Sequence, residues 1–219
     1  MLERDRQKVP FPNFDWDRPK PLVEAILEGA RRVWVISDTH LFHVRLWEVL
    51  RPTAEGGRDP RNTALILEGW RRRVRLEDLV LHMGDVVLGI PVTDYRQRIG
   101  WLPGEVWLLP GNHDRTPEKL AIYREMGWHL VRPFELELSG WQVRFTHEPI
   151  QPEELKDGEI NIHGHIHHNP AYTDRHVNCS VEWLGYEPVD LGPILEKATR
   201  RPAPVTAARR QSRRHHPKR

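Results

Sequence analysis

The chain has 219 residues, 38% hydrophobic and 29% charged, with 33 Lys or Arg against 31 Asp or Glu and a formal net charge of +2. That length suits one domain and is short for two, while the single cysteine, Cys179, excludes an intrachain disulfide. No apolar run approaches membrane-spanning length, and the start Met1-Leu2-Glu3-Arg4-Asp5-Arg6 lacks the apolar stretch of a signal peptide, so a cytoplasmic protein without a membrane partner is expected.

In chain order, residues 19–31 carry Leu22, Val23, Ile26 and Leu27 at helical spacing, and Val33-Trp34-Val35-Ile36 follows as a strand closed by Asp38-Thr39-His40. Gly56-Gly57-Arg58-Asp59-Pro60 reads as a loop overhanging that strand end. A second helix over residues 62–75 places Leu65, Ile66, Leu67, Trp70 and Val74 on one side, with Asn62 as its cap. The apolar runs 79–83 and 106–109 read as strands that end in Gly84-Asp85 and in Gly111-Asn112-His113-Asp114. Thr116-Pro117-Glu118 then marks a helix start, with proline in the first helical position, for a helix over 116–126. Runs 143–145 and 160–162 lead to Thr146-His147-Glu148 and Gly164-His165-Ile166-His167. Residues 176–181 alternate as a strand, and 191–199 read as a last helix. Eight basic and no acidic residues lie between Arg200 and Arg219, which leaves residues 1–199 acidic on balance. The expected organisation is one domain over 1–199 and a basic, flexible tail over 200–219. Such a tail reads either as a solvated extension or as a nucleic-acid contact.

Five polar segments therefore follow five apolar runs, and ligands at the C-terminal ends of strands line one rim of a sheet. Together they supply more donors than two divalent cations need. Two neighbouring cations repel, so a bridging carboxylate is required; Asp85 suits that position, each of its oxygens taking one ion. A mixture of imidazole and oxygen donors favours Zn, Fe, Mn, Co or Ni over calcium. On a tight turn at Gly164, His165 and His167 diverge toward different ions.

The segments D-x-H, G-D, G-N-H-D, a lone His and G-H-x-H, all in order between residues 38 and 167, resemble the calcineurin-like metallophosphoesterase superfamily. Asp38-Thr39-His40-Leu41-Phe42-His43 is similar to a small prokaryotic single-domain branch of it, and residues 184–189 resemble the closing strand and bend of that branch. The resemblance implies an α/β sandwich of two mixed β-sheets flanked by helices, in keeping with strands and helices alternating before residue 125 and strands dominating after it. It implies one metal on Asp38, His40, Asp85 and His167 and its neighbour on Asp85, Asn112, His147 and His165. A bridging hydroxide would then attack phosphorus, with His113 as general acid and manganese the expected ion for activity. Asp114 is grouped with the catalytic residues as a neighbour of His113 that holds backbone or an imidazole in place, and a helix N-cap is its alternative. Arg115 is placed on a phosphate oxygen or else in solvent, and His43 either lines the pocket or is structural. His82 and His163, inside apolar strands, read as satisfied core histidines, while His129, His168 and His176 read as structural or surface residues.

Val86-Val87-Leu88-Gly89 stands where phosphoprotein phosphatases of the superfamily carry a further Asp and Arg, which argues against a phosphoprotein substrate. The expected function is hydrolysis of phosphate esters, diesters before monoesters, with a nucleotide or nucleic acid among the candidate substrates. Two rivals stay open: a nucleic-acid-binding module with a structural or regulatory metal, and a hydrolase of another bond. The oligomeric state is left open.

Overall fold

The computed structural model describes residues 10–43 and 62–200. The loop expected over 56–60 and the tail from residue 201 onward lie outside these. In order, the elements are α1 (Lys20–Glu28), β1 (Val33–Ile36), α2 (Asn62–Arg73), β2 (Leu79–His82), a 3-10 turn (Val92–Asp94) leading into α3 (Tyr95–Ile99), β3 (Glu105–Leu108), α4 (Pro117–Glu125), β4 (His129–Leu130), β5 (Phe134–Leu138), β6 (Trp141–Phe145), β7 (Glu159–His163), β8 (His176–Asn178), β9 (Val189–Asp190) and α5 (Leu191–Thr199).

Two sheets carry the strands. The first has the order β4-β3-β2-β1-β9, and the second β5-β6-β7-β8. In the first, β1 to β4 run parallel and only β9 is antiparallel. In the second, β5 and β6 form an antiparallel pair, to which β7 and β8 add in parallel. Parallel strands need crossovers, and α2, the 3-10 turn with α3, and α4 supply them between successive strands of the first sheet.

The pleat explains the packing. Val33 and Val35 of β1, Leu79 and Leu81 of β2 and Trp107 of β3 face the second sheet and meet Leu136, Trp141, Val143, Phe145, Ile160 and Ile162, with Leu22 of α1 and Leu191 and Leu195 of α5 closing the side. The alternate residues Trp34, Ile36, Val80, Val106 and Leu108 face the other way, onto Ile66 and Trp70 of α2, Tyr95 and Ile99 of α3, and Leu120 and Tyr123 of α4. Both faces of the first sheet are thus covered, which is why its strands read as continuous apolar runs. Each large side chain buried this way contributes about 1.5–3 kcal/mol. Helix α4 starts as the sequence predicts: the Thr116 hydroxyl accepts from Lys119 N at 3.3 Å, and Pro117 opens the first turn. The strand read over 176–181 stops at Asn178, and residues 181–187 turn before β9.

Candidate metal centre

Every polar segment lies beyond the C-terminal end of a strand: Asp38 and His40 after β1, Asp85 after β2, Asn112 after β3, His147 after β6, and His165 and His167 after β7. The first two segments stay tied together past their strands. Asp38 N–H donates to Gly84 O and His40 N–H to Asp85 O, both at 2.9 Å, and Leu41 N–H to Val86 O at 2.8 Å. Side chains from these two loops are thereby held over one another.

Holding them so requires unusual backbone. Asp38, His40, Asp85, His165 and His167 have φ of 56°, 40°, 57°, 71° and 51°, so five of the seven expected ligands are left-handed. Such positions cost on the order of 1–3 kcal/mol each, persist only where surrounding bonds over-determine them, and cluster at functional sites. The divergence expected of His165 and His167 is produced by these two histidines themselves. Gly164 has another reason to be glycine: a Cβ there would lie 2.1 Å from Ser37 Oγ and 2.4 Å from Asp38 Oδ2. At Gly84, φ is +103° and a Cβ would lie 2.4 Å from Gly111 N, so conformation and space both demand glycine.

The ligand atoms fall into two clusters, Asp38 with His40 and His167, and Asp85 with His147 and His165, each within 4.8 Å of one another. Asp85 Oδ2 joins them, 3.5 Å from His40 Nε2 and 3.4 Å from His147 Nε2. Its other oxygen, Oδ1, accepts from His113 N–H at 3.0 Å. The expectation that the two oxygens are shared out, one to each ion, therefore gives way to a single oxygen facing both clusters.

Around His147 the donor set itself fits a cation. Its Nδ1–H donates to Met83 O at 2.7 Å, which leaves a lone pair on Nε2. That lone pair faces Asn112 Oδ1 at 3.2 Å, His165 Nδ1 at 3.3 Å and Asp85 Oδ2 at 3.4 Å. Acceptors converging on acceptors in a buried place need a cation or a proton between them. In the protein alone the proton serves: burial opposes charge on His147, but the Asp85 carboxylate and its hydrogen bond outweigh burial, and Asp38 and Glu148 add to it, raising the imidazole to about 10. Asp85 is held well below the usual carboxylate range, burial being overcome by His147, His40 and His113. Both clusters thus carry donor sets that fit a divalent cation: Asp85, His147 and His165 with Asn112 beside them could hold one, and Asp38, His40 and His167 could hold another.

The remaining expected residues divide. The His113 ring is half-buried and meets the His40 ring edge-on at 5.4 Å, beside the clusters. Asp114 is fully buried and positions backbone: it accepts from Asp85 N at 2.5 Å, Gly111 N at 3.0 Å, Val86 N at 3.2 Å and the Tyr123 hydroxyl at 3.1 Å. Burial and the nearby Asp85 raise its carboxyl above the ordinary value. Asp114 thus holds backbone, and the N-cap of α4 is Thr116 rather than Asp114. Arg115 is neither solvated nor turned to a phosphate. Its guanidinium is buried, donates to Pro110 O and to Glu148 Oε2 at 2.7 Å, and lies 4.1 Å from the Phe11 ring centre. The cation beside His113 is instead Lys119, whose ammonium donates to His113 O at 2.7 Å. His43 is half-buried, and its N–H donates to His40 O at 3.2 Å.

His82 is a satisfied core histidine. Nδ1 accepts from Gly84 N at 3.2 Å, so Nε2–H donates to the Thr39 hydroxyl at 3.0 Å, which donates in turn to Val86 O at 2.9 Å. His163 is only half satisfied: Nδ1–H donates to Gly164 O at 2.8 Å, while its buried Nε2 has no hydrogen-bond partner. His176 is structural, bonded to Thr173 and Ile150 O, and His129 stacks on Trp107 with ring centres 4.3 Å apart.

Sequence reasoning passed over Ser180 and Glu182. The Ser180 hydroxyl lies 2.9 Å from Asp38 Oδ2, which also accepts from His165 N, and Glu182 Oε1 lies 3.1 Å from His167 Nδ1. Neither residue belongs to a recognisable motif, and the alternation over 176–181 hid the turn that aims them.

Comparison with known proteins agrees with this geometry. A protein of Methanocaldococcus jannaschii described only as uncharacterized is 29% identical over 177 residues, covering 77% of this chain and 92% of its own. The gene 66 protein of Mycobacterium phage L5 is 27% identical over 173 residues, covering 66% and 81%. A protein of unknown function from Aquifex aeolicus shares the fold, with a TM-score of 0.56 at 23% identity, over 76% of this chain and 98% of that one. Among the described residues no helix is long and apolar enough to cross a membrane. The calcineurin-like phosphoesterase family model matches residues 31–185, the span that contains all five polar segments, and the chain belongs to that family.

Proposed function

We propose that the protein is a dinuclear, metal-dependent phosphodiesterase, with manganese as the activating ion. The observation that carries the two-ion reading is the placement of Asp85 Oδ2, within 3.5 Å of an imidazole nitrogen from each cluster. A pair of divalent cations held there would lower the pKa of water toward neutrality and polarise the phosphoryl oxygens. The chain's own part is to orient and to move a proton. Asp85 Oδ1 fixes the backbone of His113 from one side and Lys119 fixes its carbonyl from the other, so the half-buried imidazole is aimed beside the clusters. His113 acts there as general acid, giving its proton to the departing oxygen. Asp114 holds the loops of Asp85 and Gly111 in place by accepting their N–H groups.

Charge favours the diester. Arg115, the guanidinium expected on a phosphate oxygen, is committed to Glu148. A phosphodiester carries one negative charge and a monoester close to two, so losing the Arg115 fork as a phosphate clamp favours the diester. His43, at the rim, is proposed to line the pocket.

The test is hydrolysis of bis-p-nitrophenyl phosphate and p-nitrophenyl phosphate by Mn2+-loaded protein, with metal content measured alongside. Higher kcat/KM on the diester is expected, and His113→Ala should keep its metal while losing about 10²–10⁴-fold in turnover. Preference for the monoester would refute the diester assignment. An unimpaired His113→Ala on a poor leaving group would refute the acid.

A further inference from the structure

Two imidazoles, one from each cluster, have their second nitrogen taken by a protein acceptor, and the acceptors differ in kind. His147 Nδ1–H donates to a neutral carbonyl, Met83 O, at 2.7 Å. His167 Nδ1 instead faces a carboxylate, Glu182 Oε1, at 3.1 Å, with both side chains largely buried, at 15% and 7% exposure.

Glu182 does not stand alone. It follows Ser180, whose hydroxyl lies between Asp38 Oδ2 at 2.9 Å and Asn178 Oδ1 at 2.7 Å. The Asn178 amide donates to His167 O at 2.8 Å, and Trp183 Nε1–H donates to the same carbonyl at 2.9 Å. Val181 N–H donates to Ser37 O at 2.9 Å and fastens the segment to the end of β1. Residues 178–183 thus touch His167 through backbone and side chain, and Asp38 through its carboxylate. Both are ligand candidates of the same cluster.

We propose that Glu182 is a positioning residue: its carboxylate fixes the His167 imidazole with Nδ1–H outward and Nε2 toward Asp38 and His40, and makes that metal position the tighter of the two. A carboxylate on the far nitrogen orients the ring and raises its basicity more than a carbonyl does, and losing such a partner typically weakens metal binding 10–100-fold. The inference rests on the two-ion reading above and adds an order of affinity to it.

The experiment uses the full chain loaded with Mn2+ and challenged with graded EGTA, bound Mn2+ being counted by electron paramagnetic resonance. The unaltered protein should release two ions in two steps. In Glu182→Gln, which keeps an acceptor but removes the charge, the later step should move about 10–100-fold toward the earlier one. Glu182→Ala should move it at least as far. If the unaltered protein holds no more than one ion, the two-ion reading fails. If it holds two and the variants release them as it does, only the role of Glu182 fails. A measurement on the unaltered Mn2+-free protein stands even if the variants do not fold: long-range 15N–1H spectra should show His167 as the Nδ1–H tautomer, and an Nε2–H tautomer would overturn the proposal.

Discussion

The two ligand clusters are braced by different parts of the molecule. Around Asp85, His147 and His165 the support comes from the ends of β2 and β3. Asp114 takes the N–H groups of Asp85, Val86 and Gly111, Met83 O holds His147, and the Asp114 carboxylate is locked in turn by Tyr123 of α4. Around Asp38, His40 and His167 the support comes from residues far along the chain, Asn178, Ser180 and Glu182, which form no strand or helix of their own beyond Asn178. One half of the centre is built by a motif that carries its own brace, since Asp114 lies two residues from Asn112. Both halves take histidines from the ends of second-sheet strands, but the other is completed only when the turn after β8 is also in place.

The largest expected effect removes what the halves share. Asp85→Asn keeps the size of the side chain but gives up the negative charge between His40 and His147, and it sets an amide donor or a neutral oxygen where Oδ2 stands. Bound metal, measured by elemental analysis after gel filtration, should fall from two equivalents to less than one, with both clusters affected. Retention of two equivalents would mean that the clusters are independent and that Asp85 Oδ2 is no bridge.

A smaller effect separates the halves. In Asp114→Asn one carboxylate oxygen becomes an amide that cannot accept, so either the Asp85 and Gly111 pair of N–H groups or the Val86 N–H loses its acceptor in a fully buried place. Leaving such donors unmet costs about 1–3 kcal/mol. In a chain of this size that lowers the thermal midpoint by roughly 2–10 °C. Calorimetry reads the shift. In an EGTA series the first step, assigned to the ion on Asp85, His147 and His165, should come still earlier while the later step stays in place, whereas a Glu182 substitution moves the later step. Equal loosening of both ions would show that the two braces are one network.

The same division sets how much the amino-acid sequence discloses. Strand positions were legible because β1, β2 and β3 are covered on both faces and so are uninterrupted apolar runs. The ligand candidates were legible because tight approach forces motif glycines, as at Gly84 and Gly164. The fate of Arg115 was not, because its partners Glu148 and Phe11 are distant in sequence and meet it only through packing. Nor was the turn of one Asp85 oxygen toward both clusters, since it goes with a hydrogen bond from the His113 backbone to the other oxygen. Ser180 and Glu182 escaped for a third reason. A carboxylate bound to the back of a histidine leaves no spacing to read when the two are joined by a turn.

The smallest expected effect concerns His82, which braces both halves at once by bonding Gly84 N on one side and Thr39, between Asp38 and His40, on the other. Burial pulls this imidazole down to about 3, against the attraction of Asp85 and with the help of His147. In the unfolded chain it titrates near its ordinary value of about 6.5. Between those values the unfolded state binds a proton that the folded state refuses, so the stability due to the neutral ring is complete above pH 6.5 and is lost as pH falls toward 3, by up to roughly 1.4 kcal/mol per pH unit. His82→Gln keeps a donor toward Thr39, gives up the bond from Gly84 and has nothing to titrate. It should therefore be less stable than the unaltered protein at pH 7, by about 1–3 kcal/mol. The gap should narrow at pH 6 and again at pH 5 as the unaltered protein alone pays for a neutral imidazole. Urea unfolding of the two metal-free proteins at those three values measures it. A gap that stays constant would mean that His82 takes up its proton in the folded protein as readily as in the unfolded chain, and its bond from Gly84 N could then not persist at pH 5.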